Sequence, residues 1–268
     1  MNIVIISFSL FVILCVIMLC CFEYQKSSEL LESSDLRDSV LVYVMYHDDE
    51  SLKIAEGLKE KYEWTKLQKL GRSKYFENQI FLIMDEHYEE WKNKKYVGQI
   101  SYKIVNKQLN AKFDISNIIK ESNTADVVAF FKRSKLDLLT QAALYHKHFE
   151  QIWVNLLTKL GYTTSEIYQK YPIFPCNCWM AKPDWMKKYI AFVKQAMYLL
   201  DNDTELKALC SQNSNYLGSL PAETLIDIFG KPYYTYEPFI MERLPCFFFS
   251  IQGAKIYDVN VGIPQFYY

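Results

Sequence analysis

Three short segments concentrate the side chains capable of chemistry. Tyr46-His47-Asp48-Asp49 follows the apolar run VLVYVMY, Ser101-Tyr102-Lys103 closes the run around Val97-Gly98, and Pro175-Cys176-Asn177-Cys178-Trp179 precedes a proline-led helix. An imidazole, carboxylates and an ammonium at such points can bind a polar, anionic ligand or move a proton. Two carboxylates stand in apolar surroundings, where an ionised group needs a partner or a task. They are Asp126, which opens DVVAFF, and Glu242, in Pro238-Phe239-Ile240-Met241-Glu242-Arg243-Leu244-Pro245. Glu242 reads either as a general base or as half of a buried ion pair with Arg243. His47-Asp48-Asp49 and Glu77 read either as ligand contacts or as acidic helix starts. Asn177 either meets a ligand or satisfies backbone at a strand end, and Trp179 is either a sugar-stacking platform or core. The D-x-D of the region beyond residue 22 is Asp201-Asn202-Asp203, where Asp203 suits an N-cap and metal binding is the alternative.

Several chemistries are not supported. There is no G-x-G-x-x-G, no G-K-[ST] loop and no G-x-S-x-G. Cys176-x-Cys178 has the wrong spacing for a zinc knuckle, and His146-x-His148 reads as surface. With net charge −1 and scarce arginine, nucleic acid is not expected as a partner.

The elements that must position these residues alternate between strand and helix. Val40 to Tyr46, Tyr96 to Tyr102 and Asp126 to Phe131 read as strands. Leu52, Ala55, Leu58 and Tyr62 mark one helix, and Phe76, Ile80, Ile83, Met84, His87 and Trp91 predict a single second one. Phe149 to Leu160 forms an apolar stripe ended by Gly161, Pro183 opens a long helix, and Pro221 opens another closed by Gly230. This alternation predicts an α/β fold with a largely parallel sheet covered by helices. In such sheets the ligand lies beyond the carboxyl ends of the strands, where strand order reverses.

Residues 1–22 carry no charged side chain, and Ile3 to Phe22 gives 20 apolar-dominated residues, about 30 Å as a helix. No Lys or Arg precedes the run, so it reads as a retained single-pass membrane anchor rather than a cleaved signal. A polar stem over 23–38 and one domain over 39–268 follow. A secretory-pathway membrane is the favoured location.

The residues also suggest a family. Glu77, the aromatic-rich stretch to Trp91-Lys92-Asn93 and Tyr96-Val97-Gly98-x-x-Ser101-Tyr102-Lys103 resemble capsule and exopolysaccharide glycosyltransferase-like domains with a Y-V-G-L-x-H-Y-R-R segment. Asp126-Val127-Val128, a tyrosine–histidine helix around Tyr145, Asn177-Cys178-Trp179-Met180-Ala181-Lys182, Tyr189 and Phe239 to Leu244 continue the likeness across residues 40–250. It implies a GT-A-like fold, a nucleotide-sugar donor and a glycan acceptor. Under it, His47, Asp48, Glu77, Ser101 and Lys103 bind donor, Asn177, Trp179 and Arg243 bind acceptor, and Glu242 and Asp126 are catalytic. The chain departs from the family at Ser101-Tyr102-Lys103-Ile104, which stands where H-Y-R-R is expected. Mn²⁺ or Mg²⁺ is a possible cofactor, but no D-x-D occupies the expected post-strand position. Lys103 could take the metal's place beside a departing diphosphate. A catalytically silent, membrane-tethered glycan-binding or structural protein is the alternative reading.

Overall fold

The computed structural model describes residues 38–104, 114–131, 136–174 and 177–259. The anchor and nearly all of the stem therefore lie outside the described residues, as do Pro175 and Cys176. Among the described residues no helix is long and apolar enough to cross a membrane.

The β-branched and aromatic run VLVYVMY becomes strand β1, Val40–Tyr46, with side chains alternating between two cores. Val40, Val42 and Val44 enter one, whereas Tyr43 and Met45 enter the other. Asp48 then caps helix α1, Asp49–Lys61, through a capping box with Ser51. The chain continues through β2 (Thr65–Lys69) and a 3₁₀ turn (Phe76–Gln79) to α2 (Ile80–Glu86), α3 (Tyr88–Trp91), β3 (Tyr96–Ser101), α4 (Ile115–Glu121) and β4 (Val127–Ala129). Next come α5 (Leu138–Tyr145), α6 (Phe149–Lys159), α7 (Thr164–Ile167), β5 (Trp179–Ala181), α8 (Pro183–Asn202), α9 (Thr204–Cys210), α10 (Ala222–Phe229), α11 (Glu237–Ile251) and β6 (Ile256–Asp258).

The six strands form one sheet in the order β2-β1-β3-β5-β4-β6. β1 pairs in parallel with β2 and β3, and β4 in parallel with β6, while β5 runs antiparallel to both neighbours. The fold is thus α/β with a mostly parallel sheet between helical layers. Ala55 and Leu58 of α1 and Ile115, Ile118 and Ile119 of α4 cover one face. The larger core on the other face is built by α2, α6, α8 and α11. Gly98 makes the centre possible, because a Cβ there would lie 2.4 Å from Met180 Cβ and from the Trp179 carbonyl oxygen. Only a residue without a side chain lets β5 join β3 at this point.

Several expected boundaries hold. Gly161 and Gly230 follow α6 and α10 with φ of +92° and +67°, and Pro183 opens α8. The single helix expected over Phe76 to Trp91 does not form. Phe76 has φ +48°, and His87 leaves the helical region at φ −97°, ψ 26°, dividing the stretch into the 3₁₀ turn, α2 and α3. Its hydrophobic period is met in part: Ile80, Met84 and Trp91 are buried in one core with Ile83 partly so, whereas Phe76 packs in a separate cluster and the His87 side chain is 43% exposed.

Candidate functional site

From β1 the chain moves to β2 on one side, and β3 then returns on the other side of β1. The order therefore reverses between β1 and β3, which opens a crevice at their carboxyl ends. His47 and Asp48 leave β1 there, and Ser101, Tyr102 and Lys103 leave β3. Asn177 reaches the same edge by a different route. It precedes β5 rather than following a strand, but antiparallel β5 starts at the edge where β3 ends, with Trp179 opposite Gln99.

The 3₁₀ turn brings the remaining carboxylate. Ser101 Oγ donates to Glu77 Oε1 at 2.5 Å, and Lys103 N contacts Ser101 Oγ at 3.3 Å. The His47 ring meets the Tyr102 ring edge-on at 6.3 Å, and Lys103 Nζ stands 5.7 Å from the Tyr102 ring centroid. Burial holds the His47 pKa below its ordinary value, with Glu77 opposing, Lys103 adding and Asp48 opposing. Hydrogen bonds from Ser51 lower the Asp48 carboxyl. Burial raises the Tyr102 hydroxyl, assisted by Glu77, Asp48 and Glu50. Of the five residues expected to contact a donor, His47, Asp48, Glu77 and Lys103 thus line one crevice, whereas Ser101 is 3% exposed and lies behind Glu77. The α1 side of the crevice carries Asp48, Asp49 and Glu50 and repels phosphate, whereas exposed Lys103 attracts it.

Asp126 is not at this site. It precedes β4 and so lies at the opposite, amino edge of the sheet, where it accepts from Lys182 Nζ and Lys255 N, both at 3.0 Å. Burial pushes its carboxyl up, but these donors and Trp185 outweigh that and leave it below the usual range. Asp126 is scaffold. Of the two readings of Trp179 the core one holds and the acceptor one falls: it is fully buried between Phe81, Tyr189 and Phe249 and offers no face to a sugar. Arg243 is buried too, donating to Phe239 O and Gln141 Oε1, each at 2.9 Å, over the Phe149 ring. It cannot reach an acceptor from there. Asn177 is 3% exposed and bonded to Asn78 and Trp179, so it too lies behind the crevice wall. Glu242 keeps a 37% exposed side chain, with Arg243 Nη1 no nearer than 4.0 Å.

His146, expected at the surface, is 2% exposed, because Phe239 covers its ring at 4.1 Å. Asp201 accepts from Tyr75 Oη at 2.8 Å and Lys74 Nζ at 2.6 Å, and Asp203 caps α9 while pairing with Lys159 at 3.0 Å. Both are occupied by protein donors. Among the described residues no group of three or more His, Cys, Asp or Glu is placed to hold a metal ion. The residues described in the crevice, with Glu77 as its inner carboxylate, do not make a metal site from protein ligands alone.

Asn78 was not legible as a site residue, because the helical period of its neighbours assigns it to a polar helix face. Two open grooves lie away from the strand ends, in the helical layer. One of about 490 Å³ is lined by Lys147, His148, Glu150 and Tyr168 among others, and one of about 420 Å³ by Lys159, Lys194 and Tyr198 among others. No protein-family model matches the chain, and no curated protein matches it at a significant level.

Proposed function

We propose that this protein is a glycosyltransferase that moves a sugar from a nucleotide-sugar donor to a glycan acceptor, using a GT-A-like domain tethered to a membrane by residues 1–22. One observation carries the reading: His47, Asp48, Glu77, Ser101 and Lys103, contributed by three separate chain segments, meet at the switch point of the sheet. The resemblance to capsule and exopolysaccharide transferase-like domains, which also singles out Glu77, points the same way.

In this reading Asp48 and His47 face the nucleoside, where hydroxyls and ring nitrogens suit a carboxylate and a neutral imidazole. Lys103 faces the diphosphate and offsets the charge that grows as the sugar–phosphate bond breaks. Glu77, held by Ser101, orients the donor's polar groups. Glu242 faces the acceptor and takes the proton of the attacking hydroxyl, with Arg243 behind it as a buried counter-charge.

The silent glycan-binding alternative is favoured by one feature. Ser101 occupies the position of the family's histidine, and its hydroxyl is spent on Glu77. Thermal shift of the full-length chain with UDP- and GDP-sugars, with and without Mn²⁺, separates the two. The transferase reading expects stabilisation by a nucleotide sugar, followed by slow donor hydrolysis. Stabilisation by glycan alone would favour the silent reading.

A further inference from the structure

Glu77 sits on a 3₁₀ turn that cannot hold it unaided. The turn has four residues, no side-chain cap at its start and a left-handed residue, Phe76, as its first position. A carboxylate on such a turn needs support from elsewhere, because preorganised sites depend on residues locked by surrounding hydrogen bonds. Two contacts from other elements supply it. The first is the Ser101 hydroxyl on β3, already described.

The second begins in the core. The Trp179 indole is fully buried, and its Nε1–H donates to Asn177 Oδ1 at 2.9 Å. Asn177 Nδ2 then donates to Asn78 Oδ1 at 3.0 Å, and Asn78 Nδ2 closes onto Tyr75 O at 3.2 Å. Asn177 and Asn78 are each 3% exposed, so water does not compete for these bonds. Asn177 also adopts φ +51°, a left-handed conformation that asparagine tolerates better than most residues. The position thus requires both its backbone freedom and its amide. From these contacts the geometry points to Asn78 and Asn177 as positioning residues that hold Glu77 against Ser101 in the donor crevice. This inference rests on the donor-binding reading for its functional consequence, but not for its structural one.

The two parts are tested separately. Without ligand, the His47 titration followed by NMR reports where the Glu77 charge is, since Glu77 raises it against burial and Lys103, with Asp48 also raising it. The titration midpoint should fall in Asn78→Ala and in Glu77→Ala, and the double variant should fall no further than Glu77→Ala alone. An unchanged midpoint in Asn78→Ala overturns the positioning role whatever the protein binds. Should Asn78→Ala not fold, Asn177→Gly removes the same bond while suiting the left-handed backbone. With donor, UDP-glucose or GDP-mannose, affinity should weaken about tenfold in Asn78→Ala, the scale of one lost charge-assisted contact. In a Glu77→Ala background the same substitution should change nothing. Additive losses in the two backgrounds would make Asn78 a merely structural residue. A fallen His47 midpoint with intact donor affinity would keep the positioning role and remove Glu77 from the donor site.

Discussion

The two edges of the sheet use the same residue types differently. At the amino edge Asp126 accepts from Lys182 and from the Lys255 N–H, all protein donors. At the carboxyl edge Asp48 and Lys103 are exposed and His47 and Glu77 half-buried; Asp48 accepts at Oδ1 from Ser51 N and Oγ, and Glu77 at Oε1 from Ser101 Oγ, whereas Asp126 accepts at both carboxylate oxygens. A carboxylate near an apolar strand does not by itself indicate function. The edge it occupies, and whether protein donors already saturate it, decides.

The sharpest way to break this comparison uses Glu242, a carboxylate on α11 whose side chain is 37% exposed. Glu242→Gln keeps size and hydrogen bonding but removes basicity. Sugar transfer should drop at least about a hundred-fold with donor affinity unaltered. Unchanged transfer in a radiolabelled-sugar assay would return Glu242 to the scaffold.

A buried counterpart is His146, whose Nδ1 lies 3.2 Å from Ser214 O. Burial, reinforced by Arg243, lowers its pKa to about 4. The unfolded chain, titrating at the ordinary value near 6.5, takes up the proton first, so stability is full above pH 6.5 and falls as pH drops toward 4. The loss should be roughly 3 kcal/mol at the lower end. Urea denaturation at pH 7 and pH 4.5 measures it, and His146→Gln should flatten the difference. An equal dependence in that variant would assign it to other groups.

A smaller effect sharpens the amino-edge half of the comparison. Asp126→Asn should lower stability by about 1–2 kcal/mol, the low end for a charged hydrogen-bonded pair that water partly screens. Thermal denaturation reads this loss, and transfer per folded molecule should stay as in the parent.

Much of this arrangement was legible in the sequence. VLVYVMY followed by His47-Asp48-Asp49 announces a strand, a turn and a capped helix through local chemistry alone. Asp203 as a cap and Gly161 as a helix end follow in the same way. The meeting of the His47 and Lys103 segments was legible because post-strand segments of a parallel sheet converge at one edge, whatever the connecting lengths. Asp126 was misplaced because sequence gives a carboxylate at a strand start but not the Lys255 and Lys182 that fold back to it. The choice between site and core for Trp179 and Arg243 was not legible for a related reason: it depends on Tyr189 of α8 and Phe249 of α11 closing over Trp179, and on Gln141 of α5 and Phe149 of α6 closing over Arg243, long-range outcomes. β5 has three residues and was missed, since so short a strand carries no readable alternation.

Direct titration of UDP-glucose and GDP-mannose into the full-length chain, compared with Lys103→Ala and Asp126→Asn, tests the central claim most directly. The account predicts that a nucleotide sugar binds and that binding persists in EDTA. Lys103→Ala should weaken it roughly ten- to a hundred-fold, as expected for one charge-assisted contact, while Asp126→Asn leaves it unchanged. Equal losses in both variants, or unaltered affinity in Lys103→Ala, would contradict the placement of the donor at the β1–β3 crevice.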